Sequence, residues 1–172
     1  MKYKLKEIDF GNIDYSLNQF NNPNNSKMVD VKYLSNDLDF QTPKVILHEV
    51  LKENGKEYLI LKLLPTEACK TFVSKILLIE DNINQKMKKH WFNDSIPINN
   101  VNRLFNGPTF SVKIPMRFSK PQIDIYSNGK LFNYYHLREG MELICLLSFN
   151  KIWINFDNVV SYNLTVKEIL LV

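Results

Sequence analysis

The chain is poor in the residues that usually announce chemistry. Its 172 residues include three histidines, His48, His90 and His136, and two cysteines, Cys69 and Cys145. No histidine stands at metal-ligand spacing from a cysteine or another histidine, and no Cys-x-x-Cys occurs, which argues against a zinc site. Two isolated cysteines do not make a disulfide framework, so a reducing, intracellular compartment is expected. Glycine is scarce, at five residues. Neither a Walker loop nor Gly-x-Gly-x-x-Gly is present, so no phosphate cradle is expected. A nucleophile elbow and His-Glu-x-x-His are missing too. Acid pairs such as Glu80-Asp81 are adjacent on a helix, point in different directions and read as solvated charges. Nothing here points to an enzyme, a metal or a cofactor.

Long apolar runs are also lacking. Runs such as Ile76–Ile79 fall far short of the roughly 20 residues that span a bilayer. The basic stretch Met1–Glu7 has no apolar region behind it and does not read as a signal peptide, so no membrane partner is expected.

What is present suits one globular domain. Hydrophobic residues make up 45% and charged residues 23%, enough apolar side chains for a real core. The net charge is +4, too small by itself to imply a polyanion. Its distribution says more. Between Lys86 and Lys120 seven cations face one acid, Asp94, an excess of six. Clustered charge raises the local potential and would attract a polyanion, although a solvated face is the plain alternative.

The pattern along the chain is mostly β. Residues 1–27 read as an N-terminal arm and linker, broken by the Asn- and Pro-rich stretch Asn18–Ser26. Residues 28–172 read as a single domain. Val29, Val31 and Tyr33 alternate with polar neighbours, as do Leu38 and Phe40. Two apolar runs, Thr42–Leu51 and Glu57–Leu64, flank Asn54-Gly55, a strong hairpin signal. Phe72, Ile76, Ile79, Ile83 and Met87 recur at steps of three and four, predicting one helix over 66–90 with Thr66 as N-cap. Then strands return: Val101–Phe105, Phe110–Ile114, Ile123 and Ile125 before Asn128-Gly129, Met141–Phe149, Ile152–Phe156 and Tyr162–Val166. One helical turn is expected over Tyr134–Glu139, ended by Gly140. The fold expected is mainly β with one long helix: an OB-fold-like small barrel with hairpin extensions and an N-terminal arm that could cover an edge strand.

The remaining signal is aromatic rings interleaved with positive charge. Lys88, Lys89 and Trp91 end the helix. Arg103, Lys113, Arg117, Phe118 and Lys120 follow, then Tyr126, Tyr135, Lys151 and Trp153. Single-stranded nucleic acid is held by this combination: cations track the backbone, and flat rings stack on bases at about 1–3 kcal/mol each. Stacking discriminates bases poorly, so such a site need not be sequence-specific. Individual residues have plainer readings as well. Phe110 shares a face with Val112 and Ile114 and reads as core. Trp153, opposite Ile152 and Ile154, could pack under the helix or stack on a base. Arg117–Lys120 lies in a loop bounded by Pro115 and Pro121, and such loops often carry binding residues.

Several runs together resemble a known family. Phe110-Ser-Val-Lys-Ile-Pro115, Leu137-Arg-Glu-Gly-Met-Glu-Leu-Ile-Cys145, Lys151-Ile-Trp-Ile154 and Tyr162–Val166, with Phe40-Gln-Thr-Pro43 and the helix from Phe72, are similar to the single-stranded DNA-binding proteins of nucleocytoplasmic large DNA viruses, of the African swine fever virus type. The resemblance spans residues 38–170. It implies an OB-fold and a non-enzymatic binder of single-stranded DNA, with RNA left open. It further implies a role in viral DNA replication or repair in the host cytoplasm or viral replication site, with homo-oligomers and replication proteins as further partners. One departure stands out. Some viral single-strand binders end in an acidic tail, whereas this chain ends Glu168-Ile-Leu-Leu-Val172. The alternative is a structural or protein-interaction component of the virion.

Overall fold

The computed structural model describes residues 8–18, 26–90 and 100–172, with the backbone alone at 10, 18, 88–90 and 100. The first half holds β1 (Ile13–Asn18), β2 (Lys27–Tyr33), β3 (Asn36–Gln41), β4 (Val45–Glu53), β5 (Lys56–Leu63) and α1 (Glu67–His90). The second half holds β6 (Asn100–Asn102), β7 (Phe105–Asn106), β8 (Thr109–Ile114), β9 (Met116–Arg117), β10 (Lys120–Pro121), β11 (Asp124–Ser127), β12 (Lys130–Leu131), β13 (Glu142–Ile154) and β14 (Val159–Leu171).

Five of these strands close a barrel. β4 pairs with β5, β5 with β8, β8 with β14, β14 with β13, and β13 back with β4. The β8–β14 contact is parallel, through Lys113 and Thr165, and the other four are antiparallel. In chain order the ring runs first, second, third, fifth, fourth, which is a Greek-key closure of the OB type. Closure leaves these strands few free edges. β2 and β3 both run along β13, β3 at its middle and β2 at its C-terminal end, and a hairpin tip at Leu34-Ser35 stands out between them. From the segment read as an arm, Ile13–Asn18 forms β1 and pairs with β2.

Local signals explain the elements. Asn54-Gly55 and Asn128-Gly129 both sit at positive φ and make the tight turns that join β4 to β5 and β11 to β12. Alternation puts Val45, Leu47, Leu59, Leu61, Phe110, Val112 and Ile114 inside the barrel. Thr66 Oγ1 accepts the Cys69 N–H at 3.2 Å and caps α1. The helix buries Phe72, Ile76, Ile79, Ile83 and Met87, each worth roughly 1.5–3 kcal/mol of transfer free energy. Phe72 reaches into the barrel, with ring centroids 6.1 Å from Phe40, 6.1 Å from Phe105 and 5.8 Å from Phe110. At the other rim, where β5 begins, Tyr134 and Leu137 are buried, and the Tyr134 O–H donates to Glu57 at 2.7 Å.

Four local expectations change. The strand expected over Val101–Phe105 is two short strands, because the Leu104 N–H between them donates to the Glu80 carboxylate at 2.9 Å. Glu80 itself, expected in solvent, is buried inside that contact. The turn over Tyr134–Glu139 shrinks to a 3-10 turn at Tyr134–His136, capped by the Asn133 side chain. The runs Met141–Phe149 and Ile152–Phe156 join into one strand of 13 residues, Glu142–Ile154.

Candidate nucleic-acid interface

Cross-strand pairing lines up one outward row around much of the barrel. It runs Asp39 on β3, Ser148 on β13 (covered and fully buried), Thr165 on β14, Lys113 on β8, Tyr58 on β5 and Leu51 on β4. Lys113 therefore lies beside an aromatic ring on one strand and a hydroxyl on the other. Ile60 and Lys62 continue the outward face of β5, and Ser111 and Thr109 continue that of β8.

β8 leads directly into the β9–β10 hairpin. Its base is closed by the Gln122 N–H donating to Pro115 O at 2.8 Å. Arg117 pairs with Lys120 across it, and Phe118-Ser119 form the tip. Phe118 is 85% exposed, and the Arg117 guanidinium stands 5.3 Å from its ring centroid. Lys113, Arg117, Phe118 and Lys120 are thus brought together at one end of β8. Tyr135 belongs to the same rim, because its neighbour Tyr134 is anchored to Glu57, the cross-strand partner of Ile114.

The cations differ in what holds them. Lys167 contacts Asp39 at 2.7 Å and Asp37 at 3.1 Å, and Lys32 contacts Asp37 at 2.7 Å. The Lys32 hydrogen bond is the largest influence holding the Asp37 carboxyl below its ordinary value, with Lys167 adding to it against burial. For Lys167 burial pulls downward, but the two aspartates outweigh it and its ammonium titrates above the ordinary lysine value. Lys52 lies 3.0 Å from Glu57. Burial pushes Glu57 up, yet the bonds from Tyr134 and Lys52 prevail and its carboxyl is held below the ordinary value. By contrast, Lys56, Lys62, Lys113, Arg117, Lys120 and Lys151 have no carboxylate within salt-bridge distance among the described residues.

The other expected residues are spread out. Lys151 and Trp153 point outward from β13 toward Asn163 and Ser161 of β14, and Ser161 accepts a 3.0 Å hydrogen bond from Asn102 of β6. Trp153 is 41% exposed on the outside of the barrel wall, away from α1. Arg103 is 3.5 Å from Glu80, at the helix. Tyr126 sits in a different outward row, between Leu131 of β12 and Leu170 of β14. Lys88 and Lys89 end α1 with side chains outside the described set, and Trp91 lies outside the described residues. Among the described residues no group of three or more His, Cys, Asp or Glu is arranged to hold a metal.

Sequence reasoning passed over Tyr58 and Lys62, which need the β5–β8 register to be seen. It also passed over Phe156, which is 69% exposed on the turn between β13 and β14. The Asn155 side chain accepts the N–H groups of Asp157 at 3.0 Å and Val159 at 2.9 Å, which fixes that turn. An Asn two residues before an Asp-Asn pair was the available signal.

No protein-family model matches the chain. No curated protein matches it in sequence. Among solved structures it is similar to gp2.5, a single-stranded DNA binding protein encoded by bacteriophage T7, with a TM-score of 0.55, 13% identity, and coverage of 78% of this chain and 86% of that chain. At that identity the likeness is one of fold.

Proposed function

We propose that this protein binds single-stranded DNA without sequence specificity and without catalysis, in viral DNA replication or repair. We place it with the single-strand binders of nucleocytoplasmic large DNA viruses, working where viral DNA is made, in the host cytoplasm. The observation that carries the reading is the outward face of β5 and β8, with Tyr58 beside Lys113 and Arg117, Phe118 and Lys120 at its end. OB barrels bind oligonucleotides over their second and third strands and the loops joining strands one to two and four to five. In this ring those are β5, β8, the Asn54-Gly55 turn and the turn that exposes Phe156. Cations without acid partners are the ones free to replace counterions on phosphates, and the exposed rings supply stacking. Similarity of fold to a protein that binds single-stranded DNA supports the same conclusion.

The test is fluorescence anisotropy with oligothymidine across a salt series. Binding should weaken steeply with salt through counterion release. Replacing Lys113, Arg117 and Lys120 together with Ala should lower the log–log salt slope by about 2, at about 0.7 per phosphate contact on a single strand. No binding at low salt would end the reading, and an unchanged slope would move the groove elsewhere.

A second reading, a structural or protein-interaction protein of the virion, has one surface in its favour. Leu131, Tyr126, Leu170 and Ile144 form an outward row across β12, β11, β14 and β13. Leu131 is 72% and Leu170 42% exposed. Size-exclusion chromatography with and without an oligonucleotide separates the two: oligomers indifferent to DNA would favour this one.

A further inference from the structure

Among the described residues, four tight turns place two successive residues in the left-handed region. Two use residues suited to it, Asn54-Gly55 (φ 49 and 72) and Asn128-Gly129 (φ 50 and 74). The other two are Leu34-Ser35 (φ 49 and 66) and Phe118-Ser119 (φ 48 and 60). A bulky side chain there brings Cβ against the following carbonyl oxygen, so these two turns are strained where the Asn-Gly turns are relaxed. Strain persists where it serves something other than stability.

The two strained turns are not equivalent. Near Leu34, the hairpin's Lys32 is held by Asp37, and an aliphatic side chain cannot stack on a base. Phe118 is planar and 85% exposed, and it is flanked by Arg117 and Lys120, neither near a carboxylate among the described residues. Among the described residues the Phe118 ring meets Arg117, whose guanidinium covers one face from 5.3 Å. The other face is left to solvent.

We infer that the β9–β10 hairpin is a base-stacking prong. Resting on the single-strand reading above, it assigns each tip residue a part. Phe118 lays its open face against a base of the bound strand. Arg117 backs the ring, and Arg117 and Lys120 take the adjoining phosphates. Apolar side chains inserted between base steps unstack them, so the prong favours strands whose bases are already free over paired ones. The strained turn points the ring away from the barrel, and the stability it costs is the counterpart of that exposure.

The decisive variant is Phe118→Asn with Ser119→Gly, which gives this turn the residues of its two relaxed counterparts and leaves Arg117 and Lys120 in place. Three quantities are read: the melting temperature, the affinity for oligothymidine, and the affinity for an abasic oligomer with the same number of phosphates. The melting temperature should rise by about 2–4 °C. Affinity for oligothymidine should fall by about five- to hundred-fold, the range for one lost stack. Affinity for the abasic oligomer should not change. Phe118→Leu, which keeps the strain and the apolar surface but not the plane, should show the loss of affinity without the gain in melting temperature. If the wild type binds oligothymidine and the double variant binds it equally well, the prong is overturned and the single-strand reading stands. Equal losses on both oligomers also overturn the prong, since the ring would then be acting on the backbone. If the wild type binds neither oligomer, the single-strand reading has failed and the prong falls with it.

Discussion

Glu80 offers the sharpest test of the packing. It is a buried carboxylate on α1 that accepts the Leu104 N–H at 2.9 Å and faces the Arg103 guanidinium at 3.5 Å. Two substitutions separate its roles. Glu80→Ala strands the Leu104 N–H, at about 1–3 kcal/mol, and removes a charge-assisted hydrogen bond and its packing. Its total cost should be no less than the roughly 1–3 kcal/mol of the stranded donor. Glu80→Gln keeps an acceptor for Leu104 and removes a buried charge whose partner is mostly in solvent. Such half-exposed pairs contribute about 0–1 kcal/mol, so this variant should lie within about 1 kcal/mol of wild type. Urea unfolding at neutral pH reads both. pH supplies an independent check. Burial pushes the Glu80 carboxyl above its ordinary value of 4.5, against the Leu104 hydrogen bond and Arg103. The folded state therefore holds this proton more tightly than the unfolded chain. Its contribution to stability is full below 4.5 and is lost as pH rises through the folded value. The Gln variant should gain on wild type as pH rises through that window. A Gln variant as damaged as the Ala variant would refute the reasoning, since charge rather than the Leu104 hydrogen bond would then be what Glu80 supplies.

Tyr134→Phe should destabilise by about 1.5–3 kcal/mol, because the lost O–H donates to a carboxylate. Glu57 is held below its ordinary value, so its stabilisation is present above 4.5 and is lost as pH falls through the folded value; the variant should lose less stability over that acid limb. Asn155→Ala should weaken oligothymidine binding a few-fold with little change in melting temperature. It frees two N–H groups at an exposed turn and lets Phe156 wander; unchanged affinity would remove Phe156 from the interface.

Much of the fold is legible from local pattern. The two Asn-Gly turns, the capped helix and its five-residue stripe are set by short-range chemistry, and the mainly β barrel with one helix is what the structure shows. What escaped is non-local. Tyr58 and Lys62 become neighbours of Lys113 and Thr109 only through the β5–β8 register. Glu80 is buried because a segment some two dozen residues later folds over it. The Phe118-Ser119 turn carries neither Asn nor Gly, so its tightness leaves no mark in the sequence. The twelve residues expected at the interface also do not form one cluster. Those at the end of β8 meet, whereas Tyr126 lies in an apolar row and Arg103 is engaged by Glu80.

The bulges show why alternation alone misplaces charge in this chain. His48, Asn150 and Lys167 are each an extra residue in a ladder. Each is the first polar residue of the same local pattern: buried apolar, polar, polar, then an apolar residue that is buried or, at Val50, half-buried, as Leu47-His-Glu-Val50, Phe149-Asn-Lys-Ile152 and Val166-Lys-Glu-Ile169. Strict alternation would turn Glu49, Lys151 and Glu168 inward and swing the next apolar residue out. One extra residue restores the phase, keeping the second polar residue outside and the following aliphatic in the core or at its edge. At Lys167 the same device places an ammonium between Asp37 and Asp39, where it is neutralised. At Asn150 it puts Lys151 on the outer face without such a partner among the described residues. Two lysines in the same sequence pattern thus meet different fates, one bridging two aspartates and one with no carboxylate within salt-bridge distance among the described residues. A total charge of +4 cannot report that difference. The ladder register decides which cations meet a carboxylate and which do not.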